Sequence, residues 1–233
     1  MLDPARIKGI IFDYGGTLDS GGDHWCHVFL DAYAAAGLKP GFGAFRDAYI
    51  RGERAAAVPG AILPHFSMTD VLRVKVAEQL RVLGAPPRVL DTIVELCCAR
   101  AANHTAAARK SLERLLPMPM AVASNFYGNL RSVLDSFGLS HLFRTVIDSG
   151  AVGIRKPDPA IFCLALDRMG IRPHEALVVG DSVTNDLLPA AALGCLTARI
   201  AGRPWPEAPE SDFVADFTGS IAELADTLLT HIK

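Results

Sequence analysis

The sequence predicts an α/β protein: a parallel sheet with helices on both faces, and a separate all-helical subdomain inserted after the first strand. Three observations predict it. Short apolar, β-favouring runs recur along the chain and stop at glycines or polar residues. From Ala106 onward these runs alternate with helical segments, the order that builds parallel strand–helix–strand units. Between the first run and the second, residues 23–104 carry helical patterns and no convincing strand.

Taken in order, Lys8 to Phe12 make the first strand, and Asp13-Tyr14-Gly15-Gly16-Thr17-Leu18 follows at its end. Helices are expected over 23–36, 41–57, 68–83 and 87–104, broken at Gly37 to Pro40, Pro59 to Pro64 and Gly84 to Pro87. In the third, Val71, Leu72, Val74, Val76, Leu80 and Leu83 form a broad apolar stripe, and Ser67 to Asp70 offer N-caps. A helix over 106–116 leads into a strand at Met120 to Ala123 that ends in Ser124-Asn125. A helix over 127–137 stops at Gly138, and a strand at Thr145 to Ile147 ends near Asp148. The loop Arg155 to Pro159 precedes a helix over 159–169, closed by Gly170. A strand at Ala176 to Val179 ends in Gly180-Asp181. The helix over 184–193 has Pro189 near its first turn and Gly194 at its end. Strands near 195–200 and at Phe213-Val214, then a helix over 218–231, complete the pattern.

Composition narrows the function. Half of the 233 residues are hydrophobic and 21% are charged, an ordinary globular mix. A net charge of −2 gives no electrostatic case for nucleic acid or an acidic membrane surface. Cys26, Cys97, Cys98, Cys163 and Cys195 form no metal or redox spacing and read as small buried residues. No secretory leader pattern and no long apolar run is present, so a cytoplasmic protein is expected. No residue pattern specifies an oligomeric state.

Chemistry is expected where the strands end, because open parallel sheets place ligands at their carboxyl edge. The first strand ends in Asp13, and Gly15-Gly16 lets the backbone approach an anion closely. The second ends in Ser124-Asn125, the third is followed by Lys156, and the fourth ends in Asp181 with Asp186 five residues on. A carboxylate nucleophile, a hydroxyl, an amide, a lysine and two further acids in one crevice suit phosphoryl transfer. Carboxylates are hard ligands for Mg²⁺, and lysine with metal offsets phosphoryl charge.

These motifs resemble those of the haloacid dehalogenase-like hydrolases. Asp13-Tyr14-Gly15-Gly16-Thr17 stands where that family has DxDGT, Ser124 is the hydroxyl at a strand end, Lys156 lies in Gly153-Ile154-Arg155-Lys156-Pro157-Asp158-Pro159, and Gly180 to Asp186 reads GDxxxxD. The resemblance implies a Rossmann-like core, residues 1–19 and 105–233, and a helical cap, residues 20–104. It implies Asp13 as nucleophile, taking the phosphoryl group from a small phosphorylated substrate to form an aspartyl-phosphate. Gly15, Gly16, Ser124, Asn125 and Lys156 would hold the phosphate. Asp13, the Gly15 carbonyl and Asp181 would bind Mg²⁺, with Asp186 assisting through water.

One position departs from the family pattern. Gly15 stands where phosphatases of this family carry a general acid/base, a group worth about 10²–10⁴-fold. The first reading is a phosphatase that borrows its acid, with Asp19, His24 and His27 as nearby candidates. The second is a hydrolase whose leaving group needs no acid, such as a phosphonatase, which would require a cap lysine. Lys39 and Lys75 are the only cap lysines; Lys39 adjoins Pro40 and Lys75 is expected to face solvent. The third is a catalytically weak, phospholigand-binding protein. Arg46, Arg51 and Arg54 are candidates for a second anionic group on the substrate, and Trp25 is expected at the cap–core interface.

Overall fold

The computed structural model describes residues 2–209 and 211–230. Among them lies one six-stranded sheet, every pair parallel, in the order β3-β2-β1-β4-β5-β6. The strands are β1 (Gly9–Phe12), β2 (Met120–Ser124), β3 (Thr145–Asp148), β4 (Ala176–Gly180), β5 (Leu196–Ile200) and β6 (Phe217–Gly219). The chain moves outward from β1 to β3, then returns to the far side of β1 for β4. That reversal opens a crevice between β1 and its two neighbours, the Rossmann-type switch point.

The central strands are wholly buried because both faces are covered. Ile10, Phe12, Val122 and Val179 point into one layer, and Ile11, Ala121, Ala123 and Val178 into the other. The helices are α1 (Trp25–Ala35), α2 (Phe42–Ala56), α3 (Met68–Leu83), α4 (Leu90–Arg114), α5 (Leu130–Ser136), α6 (Ser149–Val152), α7 (Ala160–Met169), α8 (Leu188–Ala192) and α9 (Ile221–Leu229). Residues of α7 and α8, among them Phe162 and Ala190, cover the second face. The first face packs against α4, α5 and α9 through Leu112, Leu134 and Leu224.

Several boundaries differ from the sequence reading. The helices expected over 87–104 and 106–116 are one, α4, entered through a 3₁₀ turn at Pro87–Val89. The expected core–cap boundary at 104/105 therefore falls inside a continuous helix. No glycine or proline interrupts it, and Ala101, Thr105, Ala108 and Leu112 continue one buried stripe. The strand expected at Phe213-Val214 is absent; Val214 is exposed, and the edge strand forms at Phe217–Gly219, where Phe217 pairs with Ala198. The helix over 127–137 starts only at Leu130, because Gly128 has φ +96°. The segment over 184–193 divides into a π-helical turn, Val183–Leu187, and α8. The last helix is α9, and residue 231 of the expected 218–231 span lies outside the described residues. None of the described helices is long and apolar enough to cross a membrane.

Candidate active site

β1 delivers Asp13 to the carboxyl edge of the sheet. The Asp13 amide still donates to Val179 O at 2.8 Å, so β4 holds the residue as it leaves the strand. Phe12 is in register with Val122 on one side and Val179 on the other. Asp13 thus stands level with Ala123 and Gly180, and Ser124 and Asp181 lie one residue further along.

Lys156 arrives from the loop between α6 and α7, and Asn125 sets its backbone. Asn125 Oδ1 accepts from the Lys156 amide at 2.8 Å and Asn125 Nδ2 donates to Lys156 O at 3.0 Å. The ammonium then lies 2.5 Å from Asp13 Oδ1 and 2.6 Å from Asp186 Oδ1, and all three side chains are buried. Asp186 sits in the π-helical turn, where its Oδ2 also accepts the Ser182 amide at 3.1 Å. Asp181 Oδ1 accepts the Thr17 hydroxyl at 3.0 Å. The sequence-predicted acids and lysine meet although up to 173 residues separate them, as 186 − 13 gives. Ser124 is buried at the end of β2, in register with Asp148.

Charge decides what this cluster can hold. One oxygen from each of Asp13, Asp181 and Asp186 lies within 4.8 Å of the others. Three carboxylates face one ammonium. Burial, then the like charges of Asp186 and Asp13, push the Asp181 carboxyl well above the usual range. Burial also raises Asp186, while Lys156 pulls it back down. Burial would lower the Lys156 ammonium, but Asp13 and Asp186 outweigh it and raise it. An all-oxygen, net-negative donor set of this kind fits a small hard divalent cation such as Mg²⁺.

The glycine loop is shaped around these acids. At Gly16, φ is +96° and a Cβ would sit 2.5 Å from Asp181 Oδ1, so only glycine fits. The Gly16 amide donates to Asp19 Oδ1 at 2.8 Å, and Asp19 Oδ2 accepts from Trp25 Nε1 at 2.9 Å. Asp19 is buried, which pushes its carboxyl up to about 7. With both oxygens engaged it braces the loop and ties it to α1, and it does not line the adjoining cavity. At Gly15 a Cβ would meet nothing within 4 Å. The space of the missing side chain opens into a cavity of about 300 Å³ between the sheet edge and the inserted helices.

The cavity's far wall corrects the sequence reading. Lys75, expected to face solvent, is only 9% exposed and lines the cavity. Its ammonium pairs with Glu53 Oε1 at 2.8 Å and lies 4.9 Å above the Tyr127 ring. Tyr127 donates to Glu53 Oε2 at 2.5 Å, joining α2 to the loop that follows β2. Lys75 falls on the buried side of α3 because Leu72, Val76 and Gln79 flank it at helical spacing. Arg46 instead meets Asp47 and Glu207, each at 3.3 Å, and Arg51 and Arg54 line a separate surface depression. His24 does line the cavity, as the N-cap of α1 with Nδ1 accepting from Cys26 N at 3.2 Å. Its burial pushes the imidazole down to about 4. His27 turns away, with Nε2 2.8 Å from Pro204 O.

Comparison with known proteins follows the same lines. The model of the family described as hydrolase, haloacid dehalogenase-like hydrolase, matches residues 7–194. A glyceraldehyde 3-phosphate phosphatase of Methanopyrus kandleri is 38% identical over 86 residues, 36% of this chain and 37% of that protein. A phosphoserine phosphatase of Thermus thermophilus is 38% identical over 95 residues, 40% of this chain and 38% of that protein. The chain thus spans well under half the length of these relatives. A solved dehalogenase with an intermediate complex covers 97% of this chain and 98% of its own at a TM-score of 0.66, with 20% identity.

Proposed function

The chain belongs to the haloacid dehalogenase-like hydrolase family, and from that premise we propose that it is a Mg²⁺-dependent hydrolase of a small phosphorylated metabolite. Asp13 is the nucleophile and an aspartyl-phosphate is the intermediate. The observation that carries this reading is the Lys156 ammonium bridging Asp13 and Asp186 with Asp181 alongside. The phosphatase relatives support a phosphorylated substrate.

Lys156 pairs with Asp13 and offsets charge on the phosphoryl oxygens. Asn125 acts by fixing Lys156, since both ends of its amide are used on that backbone. Ser124 and the Gly15 amide complete the phosphate cradle. Asp13, Asp181, Asp186 and the Gly15 carbonyl would hold Mg²⁺, which when bound neutralises phosphoryl charge. Residues 20–104 serve as a cap that excludes water and selects the substrate.

The test is a screen of purified protein with Mg²⁺ against phosphate esters, acyl phosphates and phosphonates, with Asp13→Asn as control. Turnover lost in the variant is expected. Background rates on every compound, alongside micromolar ligand binding, would instead make the protein a phospholigand-binding module. A second reading is favoured by Lys75: a buried cap lysine facing the cavity is what Schiff-base hydrolysis of a phosphono-aldehyde requires. Its amine is engaged by Glu53 and lies over the Tyr127 ring, which places that reading second.

A further inference from the structure

Resting on the hydrolase reading, we propose that Lys75 is the general acid and base that Gly15 does not provide, acting from the cap across the cavity with Glu53 and Tyr127 as its positioning residues. The space above Gly15 is empty of side chain, yet it belongs to the same cavity that Lys75 lines. In this proposal the leaving oxygen of a phosphate ester attacked by Asp13 enters that cavity, whose wall includes Gly15, Gly16 and Asn125 next to the acid cluster. The groups able to exchange a proton there are few. His24 is held neutral and spends Nδ1 on the Cys26 amide. Tyr49 and Tyr127 are pushed well above their usual range by burial. Arg155 offers a guanidinium, a donor fork with no acceptor, suited to holding an anion rather than relaying a proton. Glu53 is an acceptor, engaged by Tyr127 and Lys75. Asp19 lies outside the cavity with both oxygens used. Lys75 remains.

Its placement is costly without a function. Lysine is among the residues least often buried, and here it interrupts an apolar stripe on α3. The pairing with Glu53 is joined through Tyr127 to the loop carrying Asn125, so the ammonium is fixed relative to the sheet edge. The proton balance closes. As Asp13 bonds to phosphorus and the P–O bond to the alcohol breaks, the Lys75 ammonium gives its proton to the departing alkoxide. The resulting neutral amine takes a proton from the water that attacks the aspartyl-phosphate. Phosphate leaves, and Asp13 and the ammonium are restored.

The experiment is kcat/KM against leaving-group pKa, because that constant includes only the steps up to departure of the alcohol. The probes are 4-nitrophenyl phosphate, phenyl phosphate and the alkyl phosphates turned over in the screen. The variants are Lys75→Met, Lys75→Arg and Lys75→Met combined with Gly15→Asp. In Lys75→Met, kcat/KM for 4-nitrophenyl phosphate, whose leaving group needs no proton, should fall far less than that for alkyl esters, and circular dichroism checks the fold. Alkyl esters should lose about 10²–10⁴-fold. Lys75→Arg keeps the charge without a transferable proton and should lose the alkyl esters as well. The double variant should recover them. Gly15→Asp alone should gain little, because the role is already filled.

An equal loss across all leaving groups makes Lys75 a binding or structural residue and overturns the proposal while leaving the hydrolase reading intact. So does turnover of aryl but not alkyl phosphates by the wild type. Borohydride trapping of a phosphono-aldehyde on Lys75 overturns it in favour of the Schiff base. No turnover of 4-nitrophenyl phosphate by wild type, matching Asp13→Asn, defeats the hydrolase reading and this one together.

Discussion

Lys156 is the cation paired with the buried Asp13 and Asp186, with Asp181 alongside, and its removal makes the sharpest test of the cluster. In Lys156→Met the volume is nearly kept but Asp13 and Asp186 lose a partner at 2.5 and 2.6 Å. Breaking a buried pair by removing one partner costs about 3–5 kcal/mol. At about 2 °C per kcal/mol for a chain of this size, the melting temperature in EDTA at pH 7.5 should fall by about 6–10 °C. The sign with pH follows from the carboxyls. Asp181 and Asp186 already sit above their unfolded values, and Lys156 lowers both. Without it they rise further, so the native state binds more protons and regains stability as pH falls. The gap to wild type should therefore shrink between pH 7.5 and pH 5. Mg²⁺ at one hundred times the variant's Kd should restore about 2.7 kcal/mol, and at that same concentration the rise should exceed that of wild type, whose site is less negative. Thermal melts followed by circular dichroism, with EDTA or Mg²⁺ at both pH values, read all of this. A drop below about 2 °C at both pH values would refute the claim that Lys156 balances buried charge, given the same scale.

Three further outcomes are expected. Gly16→Ala forces a Cβ onto Asp181 at positive φ and should weaken Mg²⁺ binding about 10–100-fold by calorimetry, whereas Gly15→Ala, with nothing within 4 Å, should leave it within about twofold. Asp148 accepts the Gly128, Leu130 and Gly150 amides and so caps two helices; Asp148→Ala should cost about 2 kcal/mol in urea unfolding. Burial holds the His24 imidazole down at about 4, with His27 and Lys75 opposing its charge and Glu53 favouring it. The unfolded chain thus takes up that proton first as pH falls, so stability is lost between about pH 6.5 and 4, by about 3 kcal/mol in all. His24→Asn, which keeps an N-cap acceptor, should remove most of that acid limb in denaturant titrations.

The sheet was legible because its signals are local. Each of Gly9–Phe12, Met120–Ser124 and Ala176–Gly180 is a short apolar run with a polar residue at or just beyond its end, and being buried on both faces leaves little else it can form. Misplaced boundaries are those where a distant partner decides. Phe213-Val214 has the right residue types for a strand, but β5 has its neighbour in Phe217–Gly219 instead. The helices expected over 87–104 and 106–116 are separate in the sequence reading although no glycine or proline lies between them. In the fold α4 is continuous through this stretch, with Thr105 buried and its hydroxyl satisfied by the Ala101 and Ala102 carbonyls.

The site was legible on one side of the cavity and not on the other, for a physical reason. Asp13 and Asp181 follow directly on strand ends, and Lys156 and Asp186 come from the loop and turn that β3 and β4 lead into, so naming the strands nearly names the site. The wall opposite is built from helix faces, whose direction depends on which stripe turns inward. On α3 that signal was present. Leu72, Lys75, Val76 and Gln79 recur at three- and four-residue steps, so a stripe read by position rather than by polarity already places the lysine inside. Reading hydrophobic residues alone drops Lys75 from the stripe and sends it to solvent. Glu53 and Tyr127 had no such signal, since their pairing depends on how α2 meets the loop after β2. A polar residue at a buried helical position is thus the informative exception. Its desolvation has to be compensated, and here the compensating carboxylate and ring lie beside the space Gly15 leaves open.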